Sequence, residues 1–216
     1  MHAVNVPSRE VGGDYYEILE IADEHICMAG GDVSGKGVPA ALLMSSLQSA
    51  FLAARAVESN LDRVCAHVNR FLFERTTPER YATFFVADVA PGGRIRYVNA
   101  GHNPPLLVGN GGCRRLSGGG LPLGLFADTE YALQEIEVEE GEVLVIYTDG
   151  VTESTGLSGE EFGEQRLLKV VTSHRPGKAP EIASAILEAV ASHSGGAGIQ
   201  HDDITLLVAR PRVERT

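Results

Sequence analysis

Short apolar runs over residues 15–21 ("YYEILEI") and 25–29 ("HICMA"), separated by the turn-like "ADE", predict a two-stranded hairpin near the start of the chain. A helix is predicted over residues 38–57: Pro39 suits a first turn, and "AALLMSSLQSAFLAARAV" continues without a breaker. This helix is apolar around most of its circumference, which predicts packing on two sides. A second helix is predicted over 61–75, where Leu61, Val64, Cys65, Val68, Phe71 and Leu72 recur at helical spacing behind Asn60 as a candidate cap. From Tyr81 the pattern changes to strands: "YATFFVADV", "RIRYVNA", "PPLLV", "ALQEIEV" and "EVLVIYT", set apart by Gly- and Pro-rich turns. The loosest link, "GNGGCRRLSGGG", reads as a mobile hairpin. Helices over 162–173 and 180–193 and a last strand, "DITLLVA", complete the series.

Strands in adjacent runs with helices grouped in pairs favour an α+β fold over regular βαβ alternation. An antiparallel double sheet with helices outside fits this order. No repeat or linker divides residues 1–216, so the chain reads as a single domain, which can be one module of a longer protein.

Composition narrows the function. A formal net charge of −11 and the lack of a basic patch argue against binding to nucleic acid or anionic lipid. The apolar stretch 38–57 contains Gln48, Arg55 and several serines and does not read as a membrane span, and the N-terminus does not read as a signal peptide. Three cysteines, Cys27, Cys65 and Cys113, are too far apart for metal-binding pairs and suggest no disulfide framework; a reducing cytoplasm is the simplest setting.

The stretch "AGGDVSGKGVPAA" imitates a phosphate-binding loop through Gly30, Gly35 and Lys36. The imitation fails because Gly37 stands where Ser or Thr would hold Mg²⁺, and because Asp32 would repel phosphate oxygens. An aspartate in a glycine-rich turn suits a cation better. Other acids share its placement at the ends of apolar strands: Asp14 before "YYEILEI", Asp149 after "EVLVIYT", Asp202 and Asp203 before "ITLLVA". In antiparallel sheets such starts and ends can share one rim. Gathered carboxylates repel one another unless a cation compensates, and oxygen-only ligands suit Mg²⁺ or Mn²⁺. Taken singly, Asp149-Gly150, Asp14 and Asp202 or Asp203 can each be ordinary turn or loop residues.

The ordered blocks "EVGGDYYE", "GDVSGKGVPAALLMS", "TFFVADV", "YVNAGHNPPLL", "GLPLGL", "VIYTDGVTES", "FGEQRL" and "DDITLLV" resemble the bacterial stage II sporulation protein E and RsbU-type phosphatases, members of the metal-dependent type 2C class. The resemblance covers residues 10–208. It implies a four-layer α/β/β/α sandwich and a centre of two Mn²⁺ or Mg²⁺ ions at one rim. It further implies hydrolysis of phosphoserine or phosphothreonine by direct attack of a metal-activated water. Residue by residue, it makes Asp32 the bridging metal ligand, with the Val33 carbonyl beside it. Asp14, Asp149 and Asp202 become the other acids, and Asp203 a supporting or second-choice ligand.

Two departures from the wider class matter. Ser34 stands where many eukaryotic relatives have a histidine that is a candidate leaving-group acid. Arg9 has the spacing of their phosphate-binding arginine, but glycine replaces the neighbouring acid at Gly13. His102 reads as orienting a Pro-rich turn or approaching substrate, Lys36 as a solvated lysine or an attractor of the phosphorylated partner, and Glu153 as a neighbour of Asp149. The cysteines lack an evident partner base. The resemblance implies as substrate a phosphorylated STAS-type anti-sigma-factor antagonist in partner-switching control of transcription, and a homodimer through helices 38–57 and 61–75. The alternative is a catalytically silent module that binds a phosphoprotein; retention of the expected acids speaks against it.

Overall fold

The computed structural model describes residues 1–8, 10–21, 25–77, 79–118, 120–196 and 202–213. One five-stranded antiparallel sheet has the order β2-β3-β4-β5-β8, formed by β2 (Tyr15–Glu20), β3 (Ile26–Val33), β4 (Ala82–Val89), β5 (Arg94–Ala100) and β8 (Gln134–Glu137). The second has the order β1-β10-β9-β6-β7, formed by β1 (His2–Val6), β10 (Ile204–Ala209), β9 (Val143–Tyr147), β6 (Leu106–Gly109) and β7 (Gly112–Arg115). Helices α1 (Val38–Arg55) and α2 (Leu61–Arg75) cover the first sheet; α4 (Gly163–His174) and α5 (Ala179–His193) cover the second. A single turn of helix, α3 (Asp149–Thr152), follows β9. The architecture is the expected α+β sandwich of four layers.

Three apolar layers hold it together. Met28, Phe85, Leu107, Leu144, Ile146 and Leu207 pack between the sheets. Leu47, Phe51, Val64 and Phe84 join the first helix pair to its sheet, and Val145, Leu167, Ile182 and Leu206 do so for the second. Strands β4, β9 and β10 are therefore covered on both faces, which is why "FFVADV", "VLVIY" and "ITLLVA" read as nearly continuous apolar runs with no polar alternation.

Three local readings are refined. Strand β3 runs on through Gly30, Gly31 and Asp32 to Val33, so Asp32 is a strand residue paired with Thr83 and not part of a turn. The glycines there answer crowding: a Cβ on Gly31 would stand 2.7 Å from the Thr83 carbonyl oxygen. Helix α1 packs on both β3 and α2, as expected, burying Ala40, Leu43, Leu47, Phe51 and Ala54, but its apolar circumference is not wholly covered: Val38 and Leu42 stay about two-thirds exposed. The glycine-rich link after β6 is a hairpin whose second strand is tied down, by Arg114 to Glu142 and by Arg115 to Glu164.

Candidate active site

Register brings the acids together. Tyr15 pairs with Gly31, which sets the start of β2 beside the end of β3; Leu206 pairs with Tyr147, which sets the start of β10 beside the end of β9. The two pairs belong to facing sheets, and side chains close the gap between them. Thr148 donates from its hydroxyl to Asp14 Oδ2 at 2.7 Å, and the same hydroxyl accepts the Thr205 N–H at 2.9 Å. Asp203 accepts the Gly13 N–H at 2.7 Å on Oδ2, and on Oδ1 the Ser8 N–H at 2.7 Å and hydroxyl at 2.9 Å. Asp14, Asp32, Asp149, Asp202 and Asp203 consequently lie along one rim of the sandwich, near enough for the other four to act on the Asp32 carboxyl.

The rim is electrostatically strained. Burial, and then the neighbouring Asp203 and Asp149, push the Asp14 carboxyl up to about 7, against the Thr205 and Thr148 hydroxyls that pull it down. Burial first, then Asp14, Asp149, Asp202 and Asp203 in turn, push Asp32 up to about 8. Asp149 is raised by burial and by Asp202. Such an array of carboxylate oxygens, in which burial first and neighbouring carboxylates next hold Asp14, Asp32 and Asp149 back from ionisation, is the donor chemistry that a hard divalent cation offsets. The residues fit a Mg²⁺ or Mn²⁺ site in this respect. They are not gathered as a finished ligand set: among the described residues, no three His, Cys, Asp or Glu side chains are grouped closely enough to hold an ion.

The adjacent acids Asp202 and Asp203 divide. Asp203 is buried, and its oxygens are engaged by Ser8 and Gly13; Asp202 is about half exposed and pairs with Lys36 Nζ at 2.9 Å. Val33 is buried, and its carbonyl oxygen faces Gly13, 3.3 Å from where a Cβ there would stand. Ser34 is bound elsewhere: its hydroxyl donates to the Glu79 carbonyl at 3.2 Å and accepts the Tyr81 N–H at 3.0 Å. His102 is buried, with Nδ1 at 3.0 Å from Thr83 Oγ1, and Thr83 in turn accepts the Asp32 N–H at 3.3 Å. It braces the strand that carries Asp32. Glu153 is exposed; partial burial and then Asp149 raise its carboxyl, so it adds to the negative field. Arg9 lies outside the described residues.

Thr148, Thr205, Thr83 and Ser8 do not stand out in the sequence. Each places a hydroxyl beside an acid or its backbone. The available signal was position alone: Thr148 immediately precedes Asp149, and Thr205 lies two residues after Asp203.

Residues 22–212 match the family described as stage II sporulation protein E (SpoIIE). The chain belongs to the SpoIIE family. The matched interval contains Asp32, Asp149, Asp202 and Asp203; Asp14 lies before it. Protein IcfG of Synechocystis sp. is 30% identical to it over 237 residues, covering 96% of this chain and 37% of IcfG. The phosphoserine phosphatase RsbU of Bacillus subtilis is 30% identical over 215 residues, covering 98% of this chain and 63% of RsbU. This SpoIIE-family chain thus spans less than two thirds of either relative. The PP2C domain of SiaA from Pseudomonas aeruginosa superimposes with a TM-score of 0.85 at 25% identity, covering 97% of this chain and 85% of that one. The sandwich is therefore the PP2C phosphatase fold.

Proposed function

We propose that this SpoIIE-family domain is a metal-dependent protein serine/threonine phosphatase. The observation that carries the reading is the convergence of Asp14, Asp32, Asp149 and Asp202 from four chain segments on one rim, with Asp14 and Asp32 raised to about 7 and about 8 by burial and mutual repulsion. In this reading Asp32, with the Val33 carbonyl beside it, and Asp14, Asp149 and Asp202 would hold the two ions. Asp203 orients the segment from Ser8 to Asp14, in keeping with the bonds to its two oxygens. When bound, Mn²⁺ or Mg²⁺ supplies Lewis acidity, which acidifies water and offsets charge on phosphoryl oxygens.

Thr148 holds Asp14 in place, Thr83 holds the Asp32 backbone, and Lys36 must release Asp202 for that carboxylate to turn inward. Hydrolysis is by direct attack of water at phosphorus. Cysteine chemistry is disfavoured: Cys27 and Cys65 are buried in the apolar layer under α1 and α2, and burial pushes the Cys27 thiol up to about 12.

The substrate in this reading is phosphoserine or phosphothreonine on a STAS-type anti-sigma-factor antagonist in the cytoplasm. The likeness to RsbU, itself named a phosphoserine phosphatase, supports that choice. The exposed Val38 and Leu42 leave α1 an apolar surface compatible with a homodimer through α1 and α2. Among the described residues no helix is long and apolar enough to cross a membrane. A silent phosphoprotein-binding module is the second reading, favoured by the lack of a finished ligand set among the described residues. Phosphate release from p-nitrophenyl phosphate and from a phosphoserine protein, with and without Mn²⁺, separates the two. Metal-dependent turnover that disappears in Asp32→Ala supports the phosphatase; no turnover in the wild type leaves the silent module.

A further inference from the structure

A phosphate monoester approaching this rim meets a concentration of negative charge, so a protein cation must help to hold its oxygens while the acids engage metal. Lys36, paired with Asp202 in this structure, is one cation at the rim. Among the described residues, a second cation near the end of β3 that carries Asp32 is Arg80.

The segment before β4 is fastened to the segment after β3 at three points. Ser34 N–H donates to the Tyr81 carbonyl at 2.9 Å, Tyr81 N–H donates to Ser34 Oγ at 3.0 Å, and Ser34 Oγ donates to the Glu79 carbonyl at 3.2 Å. Arg80 lies inside that staple, and its own backbone is fixed by bonds to Thr77 and Thr76. The register Asp32↔Thr83 and Val33↔Ala82 then carries Arg80 alongside Gly35, three residues past the central acid. Its guanidinium lies over Gly35: Nη1 is 3.6 Å from where a Cβ on that residue would stand. Gly35 has φ +100°, a conformation that favours glycine and keeps this face of the loop free of a side chain.

Arg55, Arg70, Arg94, Arg96, Arg114 and Arg115 each pair with a carboxylate. Arg80 is half-buried, and no carboxylate of the described residues lies within 4.0 Å of it. A guanidinium on a backbone pinned by these bonds, lying over Gly35 just past the central acid in register and with its planar fork uncommitted, is suited to take two phosphoryl oxygens at once.

We propose that Arg80 binds the phosphoryl group of the substrate. The assignment rests on the phosphatase reading above and adds to it the residue that recognises the anion. It predicts that Arg80 acts on substrate and product alike and leaves the metal site untouched.

The test uses the 216-residue chain with Mn²⁺, p-nitrophenyl phosphate as substrate and inorganic phosphate as inhibitor. In Arg80→Ala, KM and the phosphate inhibition constant should both rise about tenfold while kcat stays within about threefold, the pattern of a lost anion contact. Arg80→Lys, which keeps the charge and loses the fork, should recover part of both. Mn²⁺ affinity by calorimetry should be unchanged in either variant. Two results overturn the assignment while sparing the phosphatase reading: KM and the inhibition constant within about twofold of wild type in an active Arg80→Ala enzyme, or weakened Mn²⁺ binding, which would make Arg80 a brace for the loop. Wild-type protein without metal-dependent hydrolysis would overturn the phosphatase reading, and the assignment with it.

Discussion

The Asp203 carboxylate accepts the backbone N–H of Gly13 at 2.7 Å, which ties the start of β10 to the residue before Asp14. With the two bonds from Ser8, this makes Asp203 the clasp of the N-terminal segment across two sheets. Asp203→Ala should leave the buried Gly13 N–H without an acceptor and lower stability by about 1–3 kcal/mol. Asp203→Asn should fall between, because its single carbonyl oxygen can serve either Gly13 or Ser8 but not both. Urea denaturation gives the stability. Calorimetric titration with Mn²⁺ should show weaker binding in both variants, since Asp14 loses its support; unchanged affinity would separate the clasp from the site.

Gly150 makes a sharper demand. A Cβ there would stand 1.9 Å from the Asp203 carbonyl oxygen, and backbone cannot step aside as a flexible side chain would. Gly150→Ala should therefore displace either α3 with Asp149 or the start of β10. The expected loss is about 3 kcal/mol or more, at the severe end for a single methyl group, read as a fall in thermal midpoint. A wild-type midpoint would refute the close approach.

That contact also marks what was legible in the sequence. "DG" read alone is a turn signal and gives the glycine no reason beyond it. The reason is the backbone of a strand more than fifty residues away, which no local pattern contains. Regular elements were easier: the predicted helix over 61–75 is α2 with the same bounds, because its apolar spacing and its packing on the sheet agree. The chemistry of Asp32 is legible in the sequence but its strand position is not, since Gly30 and Gly31 look like turn residues when they in fact relieve crowding within β3. Nothing local distinguished Asp202 from Asp203. Their division into an exposed ion pair and a buried clasp depends on where Gly12 and Gly13 pass.

Arg55, at the last turn of α1, donates from Nη2 to both oxygens of the buried Asp88 on β4, at 3.1 and 3.0 Å; Arg96 Nη2 lies 3.6 Å from the same carboxylate. Arg55→Ala leaves a buried carboxylate with only the more distant arginine, and should destabilise the domain by about 3 kcal/mol. Adding Asp88→Asn should return a large part of that loss, since the unpaired charge is removed. Hydrogen exchange should localise the loosening to the C-terminal turn of α1. Equal exchange in mutant and wild type would show that apolar packing alone fixes that end.

His102 gives a pH dependence whose sign can be worked out. Burial holds its pKa down at about 4 against an ordinary 6.5, with a smaller opposing pull from the Tyr147 backbone. Above pH 6.5 the ring is neutral whether the chain is folded or not, and its contribution to stability is complete. As pH falls from 6.5 to 4 the unfolded chain takes up the proton first, so that contribution drains away, by on the order of 3 kcal/mol in all. Asp14 and Asp32 work in the opposite direction: their folded pKa values are raised, so in metal-free protein acidification from about 8 favours the folded state. A single stability curve mixes the two trends, and the difference between wild type and His102→Gln isolates the histidine. Urea denaturation of metal-free protein at several pH values should show the variant clearly less stable at pH 7.5, with the gap shrinking steadily toward pH 4.5. A gap constant across that range would mean that the ring takes up its proton equally well in the folded and unfolded chain, and that the brace between His102 and Thr83 tolerates a charge.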